Sequence, residues 1–545
     1  MIINIKKLQN SLILSLILLL IISFSLIASV LYSDDFQGYS VAYKDKVVDY
    51  IKNSANNFKD KPNDALLYDK IFKLINSTRP SVPLLKEYPN GKAKEIKLED
   101  NSFVFDEDYL NSLLVIDEKT VKDLKKKHDI VLSAIKNEVD DEYTFGDLDN
   151  LKGNGIVMVG GGKYTLLTLI GIQNLKLLGS KLPIEVFFAK EDEYDQYLCE
   201  TLLPSFNKNS RCSLLYKEID PKLLESFDIS TYQYKILALL ISRFENIMYL
   251  DSDLYAVENP DYLLESDVFK EKGLVLWPDA WFRTSSPKYY EIAGIEVKDE
   301  PQSENKDEKI INFHDKKGAI PDPTVESGLI LVNKQMHSQT LLLSLYYNIY
   351  GPGYYYPLLT QGGAGEGDKE TFIAAATVLN TPYYQTQKLL KFFGYLNEKN
   401  EPQHKSLGQY DPVKSFHNYK KMLSPGDSDY EEPKLIFMHI NYPKLLPAWL
   451  YYLKEYINDK NEHIRLYEGL TKELGQDFEL RINIIFNQLF CSEYDDSNDG
   501  DLKVFERSAA TKLKTIEVNQ EVLDNSCREI FIPHVQFLRD HPEQT

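Results

Sequence analysis

The sequence predicts an α/β fold in which helices cover both faces of a mostly parallel sheet. Short apolar runs of β-forming residues at 155–159 and 184–189 flank a helical stretch. A second helical stretch, STYQYKILALLISRFE, leads directly into the apolar run NIMYL. Alternation of strands and helices is typical of parallel sheets with helical connections. In such sheets ligands bind at the carboxyl ends of the strands.

The chain is long enough for more than one structural unit. Its 545 residues exceed one ordinary domain, and a hydrophobic content of 43% allows at least one large core. We expect five segments: a cytoplasmic tail (1–10), a transmembrane anchor (11–32), a stem and helical lead-in (33–150), the α/β domain (151–450) and a largely helical C-terminal region (451–545).

The expected anchor is the uncharged run from Ser11 to Tyr32, whose 22 residues can cross a bilayer as a helix. Lys6 and Lys7 precede it, and Asp34 and Asp35 follow it. The positive-inside bias therefore predicts a type II protein whose main part is lumenal. The alternative is a cleaved signal peptide. It is disfavoured because such peptides have apolar regions of about 7–15 residues and a small-residue cleavage pattern.

Charge excludes one class of function. The formal net charge is −20, with only 62 Lys and Arg residues. Because binding to nucleic acid requires concentrated basic surface, we expect no nucleic-acid partner. A small anionic ligand would need only local positive charge.

The four cysteines carry no C-x-x-C spacing, which disfavours a thiolate metal site. In a lumenal compartment an even number of cysteines indicates disulfides. Sequence proximity favours Cys199 with Cys212 and Cys491 with Cys527, although the connectivity stays open at this stage. The glycosylation sequence at Asn76 agrees with lumenal exposure.

Two carboxylates, Asp251 and Asp253, follow the apolar run NIMYL directly, with Ser252 between them. A turn at the end of a strand can aim both side chains at one divalent cation. Oxygen ligands suit Mg²⁺ or Mn²⁺, and such an ion can neutralise a diphosphate. The sequence therefore predicts a metal site at this strand end.

Other interpretations of this pair fit less well. A phosphatase of the haloacid dehalogenase type would need D-x-D-x-T, but Leu254 and Tyr255 follow here. An EF-hand would need a further oxygen ligand and a glycine where the chain has Tyr255 and Ala256. A strand end without a ligand stays open. A second D-x-D, Asp427 and Asp429, follows Pro and Gly and is interpreted as a solvated loop.

A glycine-rich turn, VGGGKYT, follows the first expected strand. It departs from the P-loop pattern because Val157 stands where the first glycine belongs and Tyr164 replaces Ser or Thr. Gly161, Gly162 and Lys163 can still let the backbone approach a nucleotide or diphosphate. The alternative is a tight turn between strand and helix.

Five ordered blocks between about residues 150 and 445 resemble the fungal Golgi α-1,2-mannosyltransferases that build the side branches of mannan. The blocks are GIVMVGGGKYTLLTLIGIQNLKLLGSKLPIEVF, YQYKILALLISRFENIMYLDSDLYAVENPDYLLES, GLVLWPDAWFRTSSPKYYEIAGI, PTVESGLILVNK and GGAGEGDKETFIAAATVLNTPYY. The resemblance implies a GT-A glycosyltransferase with a Rossmann-like mixed sheet flanked by helices. It also implies GDP-mannose as donor, Mn²⁺ as cofactor and α-linked mannan or N-glycans as acceptor. The Golgi membrane and a mannosyltransferase complex are the implied surroundings.

The resemblance also implies roles for individual residues. Asp251 and Asp253 would hold the metal, with Ser252 beside the donor. The stretch FMHINYPK offers His439 as a third ligand and Lys444 for the diphosphate, although its spacing matches the family pattern loosely. A histidine after an apolar run can also be a core residue.

The donor sugar would meet Glu326 and Ser327 in ESGLILVN. In GDKETF, Asp368 is the first candidate and Glu370 the second for the acidic residue near the reacting carbon. Both could instead belong to the first turn of a helix. Lys235 is expected to face the donor phosphates, with a surface lysine as the alternative.

In LWPDAW, Asp279 is a candidate for acceptor binding, while Trp277 and Trp281 can serve in packing. The leading expectation is a retaining, metal-dependent α-1,2-mannosyltransferase. It would proceed either by same-face attack or through a transient enzyme carboxylate, and the sequence leaves both open. Two alternatives of function remain: a scaffold or binding subunit without activity, and a transferase that uses another sugar nucleotide.

Overall fold

The computed structural model describes residues 63–136, 152–302, 309–422, 430–502 and 520–543. The expected cytoplasmic tail and anchor, and the loop with Asp427 and Asp429, lie outside these residues. Among the described residues, no helix has the length and apolar character to cross a membrane. From Asp64 onward the chain forms one compact unit.

The described strands are β1 (Asn154–Val159), β2 (Ile184–Phe188), β3 (Arg211–Leu214), β4 (Asn246–Leu250), β5 (Leu254–Ala256), β6 (Leu274–Pro278), β7 (Lys298–Pro301), β8 (Lys316–Lys317), β9 (Val325–Asn333), β10 (Tyr384–Gln385), β11 (Lys391–Leu396), β12 (Pro402–Tyr410) and β13 (Leu435–His439).

The helices up to residue 293 are α1 (Asn63–Ser77), α2 (Glu107–Leu113), α3 (Glu118–Lys136), α4 (Tyr164–Leu177), α5 (Leu203–Phe206), α6 (Leu215–Glu218), α7 (Pro221–Leu224), α8 (Gln233–Ile241), α9 (Asp267–Lys272) and α10 (Pro287–Ala293). The later helices are α11 (Ser338–Ile349), α12 (Tyr356–Thr360), α13 (Thr371–Leu379), α14 (Pro412–Met422), α15 (Pro447–Leu453), α16 (Leu470–Leu474), α17 (Phe478–Phe490), α18 (Gln520–Ser526) and α19 (Ile532–Asp540).

The main sheet has seven strands in the order β10-β6-β9-β4-β1-β2-β3. β9 runs antiparallel to both of its neighbours, β4 and β6, whereas the other pairs are parallel. The expectation of a mixed sheet flanked by helices is therefore confirmed. A second sheet of four strands, in the order β11-β12-β13-β5, pairs antiparallel throughout.

The two faces of the main sheet pack against different helices because side chains alternate along a strand. Ile156 and Met158 of β1 belong to one core, which includes residues of α4 and α17. Val157 belongs to the other core, with residues of α1, α3, α8, α11 and α13. Helices from both ends of the chain thus contribute to the cores around the sheet.

Several local predictions are confirmed. The apolar runs at 155–159 and 184–189 form β1 and β2, and the glycine turn leads into α4. α8 leads into β4, which ends one residue before Asp251. The favoured disulfides, Cys199 with Cys212 and Cys491 with Cys527, are both present.

Candidate active site

The candidate site lies at the edge of the main sheet where β4 ends and β9 begins. Because β9 is antiparallel to β4, its first residues lie beside the last residues of β4. The backbone N–H of Asp251 donates to the carbonyl of Gly328 at 2.7 Å. This pairing places Asp251 at the same edge as Glu326 and Ser327, although more than 70 residues separate them in the chain.

The second sheet brings His439 to the same edge. β13 ends at His439, which is paired with Leu254 of β5. His439 Nε2 lies 3.3 Å from Asp253 Oδ1, and its Nδ1 lies 3.2 Å from Glu326 Oε2. Both ring nitrogens therefore face carboxylates, so His439 is not an ordinary core histidine.

Lys235, which lies on α8, contacts two of the carboxylates at this edge. It is only 6% exposed, so it is not a surface lysine. Its Nζ lies 3.5 Å from Asp251 Oδ2 and 3.1 Å from Asp368 Oδ2. It also donates to the carbonyl and hydroxyl of Ser327, at 2.7 and 2.9 Å. Burial lowers the pKa of Lys235, but Asp251 and Asp368 outweigh burial and raise its pKa overall.

The other cation of the site is Lys444, which donates to Asp253 Oδ2. Burial raises the pKa of Asp253, but His439 and Lys444 outweigh it and hold the pKa well below its usual range. Burial likewise opposes ionisation of Glu326, yet His439 and the N–H of Gly328 bring the pKa of Glu326 down to about 2. The same two carboxylates raise the pKa of His439 despite its burial.

The ligand types in this group, although not their present arrangement, suit a divalent cation. Asp251, Asp253 and His439 supply the carboxylate and imidazole ligands that Mn²⁺ accepts. A Cβ atom at Gly328 would lie 2.9 Å from Glu326 Oε1 and 3.3 Å from Asp251 Oδ2, so glycine keeps this space open. In the present arrangement Lys235 and Lys444 neutralise the carboxylates. Within the described part of the chain, no three His, Cys, Asp or Glu side chains are arranged around a common ion position.

Asp279 lies at the same sheet edge, directly after β6. Since β6 is also paired with β9, Trp277 stands opposite Glu326. Asp279 Oδ2 accepts a hydrogen bond from Lys369 Nζ at 2.7 Å. Burial raises the pKa of Asp279, while Lys369 opposes this shift. Trp277 itself is fully buried and donates to the carbonyl of Tyr410, which is a packing role.

Glu370, the second candidate for the acidic residue, is not brought into this group. Its side chain is fully buried and forms an ion pair with Arg283. Its Oε1 accepts from the N–H of Val325 at 2.8 Å. α13 begins at Thr371, so Asp368 and Glu370 precede the helix. Of these two carboxylates, only Asp368 contacts Lys235.

The glycine turn lies next to the segment that carries Lys444. Gly161 and Gly162 have φ values of +105° and +51°, which favour glycine. The carboxylate of Glu193 also approaches Gly161 closely. Lys163 Nζ lies 5.1 Å from the ring centre of Trp449. This contact links the turn after β1 to the chain after β13.

Comparison with known proteins decides the family. Residues 153–411 match the model of a family described as "Mannosyltransferase putative". The chain is 39% identical over 520 residues to α-1,2-mannosyltransferase MNN2 of Candida albicans, covering 89% of this chain and 85% of that protein. The chain belongs to this mannosyltransferase family. It is therefore a glycosyltransferase, and the resemblance to fungal α-1,2-mannosyltransferases is confirmed.

Relatives of this glycosyltransferase also occur in Saccharomyces cerevisiae. It is 32% identical over 445 residues to α-1,2-mannosyltransferase MNN5, covering 70% of this chain and 72% of that protein. Among solved structures, the glycosyltransferase GlyE of Streptococcus pneumoniae aligns over 44% of this chain and 46% of its own. The identity is 12% and the TM-score 0.27.

Three residues of the candidate site were not predicted from the sequence. Tyr249 donates its hydroxyl to Asp251 Oδ1 at 2.6 Å. The two-residue period of a strand places both side chains on one face, so the spacing of Tyr249 and Asp251 in the sequence could have indicated this contact. Lys369 stands between the two acidic candidates, yet its partner Asp279 is 90 residues away. Gly328 is recognisable only from the carboxylates that surround it in space.

Proposed function

We propose that this glycosyltransferase transfers mannose from GDP-mannose, in α-1,2 linkage, to α-linked mannan or N-glycan acceptors. The main observation in support of the proposal is that Asp251, Asp253 and His439 lie together at one sheet edge. The names of the Candida and Saccharomyces relatives support the linkage and the sugar. The family resemblance is the support for GDP-mannose as the donor.

Asp251, Asp253 and His439 would hold the divalent cation, with Mn²⁺ as the proposed cofactor. When bound, the ion would neutralise negative charge that develops on the diphosphate leaving group. Lys444 would add positive charge at the same place. The glycine turn, with Gly161, would let the backbone approach the nucleotide.

The sugar would lie on the other side of Asp251, where Lys235 pairs with Asp368. Lys235 holds the Asp368 carboxylate next to the metal-ligand candidate Asp251. Asp368 is thus the acidic residue that we place nearest the reacting carbon. Glu326 and Ser327 would contact sugar hydroxyls, and Asp279 with Lys369 would contact the acceptor. Transfer from an α-linked donor to an α-linked product would be retaining.

We further propose that the enzyme is a type II protein of the Golgi membrane with its catalytic domain in the lumen. Two intrachain disulfides support an oxidising compartment. The apolar run at 11–32 would provide the anchor. A mannosyltransferase complex is the proposed assembly.

The test uses the full-length chain purified in detergent. Transfer of mannose from GDP-mannose to an α-1,6-mannan acceptor is measured with Mn²⁺ and with EDTA, beside Asp253→Asn. We expect transfer that requires metal and falls by about 100-fold or more in the variant, because a charged ligand is lost. Linkage analysis of the product should give α-1,2-mannose with retained configuration.

Two outcomes would contradict the proposal. Transfer from a UDP-sugar but not from GDP-mannose would assign another donor. A folded wild-type chain that binds mannan but transfers no sugar from any donor would favour a scaffold subunit. Folding is checked by circular dichroism before each assay.

A further inference from the structure

Tyr232 is an exposed aromatic residue on a well-defined turn. It is 59% exposed and lies immediately before α8. The preceding residue, Thr231, has a φ of +43°, which β-branched residues rarely adopt. The N–H of Gln233 donates to the carbonyl of Ser230 at 3.1 Å, and the Gln233 side chain accepts from the N–H of Ser230. Strained backbone residues cluster at active sites and ligand-binding segments.

One face of the Tyr232 ring lies against the backbone of Gly367. A Cβ atom at Gly367 would lie 3.2, 3.4 and 3.5 Å from three atoms of the ring. Three nearly equal distances indicate that the ring lies flat on this glycine. With Gly367 against one face, the 59% exposure of Tyr232 leaves much of the ring open to solvent.

The ring lies beside the proposed reaction centre. Gly367 immediately precedes Asp368, and Tyr232 lies one helical turn before Lys235. The carboxylate of Asp368 and the ammonium of Lys235 are 3.1 Å apart. Two separate elements, the loop before α13 and the start of α8, therefore place the ring next to this ion pair.

We propose that Tyr232 is the platform on which a mannose ring of the acceptor stacks. A pyranose presents a face of C–H groups that packs on an aromatic face, and aromatic side chains are common in ligand sites. In the proposed function the donor diphosphate lies near Asp253 and Lys444. The Tyr232 ring contacts Gly367, next to Asp368, and is exposed to the solvent from which the acceptor must enter.

This inference rests on the proposed function, and its test separates the two. The full-length enzyme is compared with Tyr232→Ala and Tyr232→Phe. Tyr430→Ala is the matched control, because Tyr430 is 60% exposed, nearly the same as Tyr232. Tyr430 lies before the start of β13, whereas His439 is at the end of that strand. The acceptor is an α-linked mannotetraose.

We expect Tyr232→Ala to raise the KM for the acceptor about tenfold, since one aromatic contact is lost. The KM for GDP-mannose and the slow hydrolysis of donor in the absence of acceptor should not change. Tyr232→Phe should stay within about twofold of wild type, because the stacking face is retained. Tyr430→Ala should behave as wild type.

An unchanged acceptor KM in Tyr232→Ala, or a raised donor KM with an unchanged acceptor KM, would overturn the inference. If the wild-type enzyme transfers no sugar, binding of the mannotetraose in the absence of donor is measured by saturation-transfer NMR. If wild type binds and Tyr232→Ala does not, the inference holds while the proposed transfer fails. If neither wild type nor variant binds, both fail.

Discussion

The guanidinium of Arg283 and the carboxylate of Glu370 form an ion pair in which neither side chain has exposed surface. Arg283 also donates to the carbonyls of Pro321 and Pro323, at 3.0 and 2.6 Å. Glu370 accepts from the N–H of Val325, the first residue of β9. The pair thus joins the segment that leads into Glu326 to the segment that carries Asp368.

We therefore predict that Glu370→Ala mainly affects stability. Removing the carboxylate leaves a buried guanidinium unpaired, which costs about 3–5 kcal/mol in the free energy of unfolding. Urea unfolding followed by circular dichroism measures the loss. The double variant Arg283→Met with Glu370→Leu should recover much of it, because neither member of the ion pair is then left buried without its partner. A Glu370→Ala protein with wild-type stability and no transfer would instead assign Glu370 a catalytic role.

Lys235→Met is predicted to lower the rate of sugar transfer by about 100-fold or more, because a buried charge beside the proposed reaction centre is removed. The change leaves Asp251 and Asp368 without their shared cation. Steady-state kinetics measures kcat, and a melting curve measures stability.

Lys334 provides the control for this prediction. Lys334 is also buried, and its Nζ donates to the carbonyls of Leu240 and Ser242. It directly follows β9, at the end of that strand opposite to Glu326 and Ser327. Lys334→Met should lower stability but leave kcat of the remaining folded enzyme unchanged. Equal effects of both changes on kcat would refute a specific role for Lys235.

His128 predicts a pH dependence of stability. Burial, with Lys125 and Lys136 nearby, lowers the pKa of His128 to about 3. The folded state thus binds fewer protons than the unfolded state, where the pKa is about 6.5. Stability from this residue is complete above about pH 6.5 and is lost as the pH falls, by about 1.4 kcal/mol per unit.

The measurement compares urea unfolding of wild type and His128→Gln at pH 7.5 and at about pH 5. Gln keeps a polar group for the Tyr347 hydroxyl, which lies 2.8 Å from His128 Nε2. The difference in free energy of unfolding between the two proteins should shift in favour of the variant by about 2 kcal/mol at the lower pH. A constant difference would mean that His128 does not titrate differently on unfolding.

The disulfide between Cys491 and Cys527 is predicted to stabilise more than the one between Cys199 and Cys212. The first closes 36 residues and the second 13. Loop-closure entropy then gives about 4 kcal/mol against about 3 kcal/mol. Unfolding of the two double serine variants gives both values. The reverse order would show that native contacts, and not loop length, dominate.

Local patterns in the sequence were sufficient for much of the fold. Neighbouring residues in the chain make the strands β1, β2 and β4 and the helices α4 and α8 recognisable. Sequence proximity favoured both cysteine pairs but left their connectivity open. The antiparallel position of β9 in the middle of the sheet was not predicted from the residues. A buried strand has the same apolar pattern in either direction.

The sequence by itself determined the family and the position of Asp251 and Asp253 at a strand end, because ordered motifs and strand periodicity are local properties. Only the tertiary structure decided which distant side chains join them. It brought Lys235, Glu326 and His439 to one edge and directed Glu370 to Arg283 in the interior. These choices depend on strand order and register, which arise from packing between segments far apart in the chain.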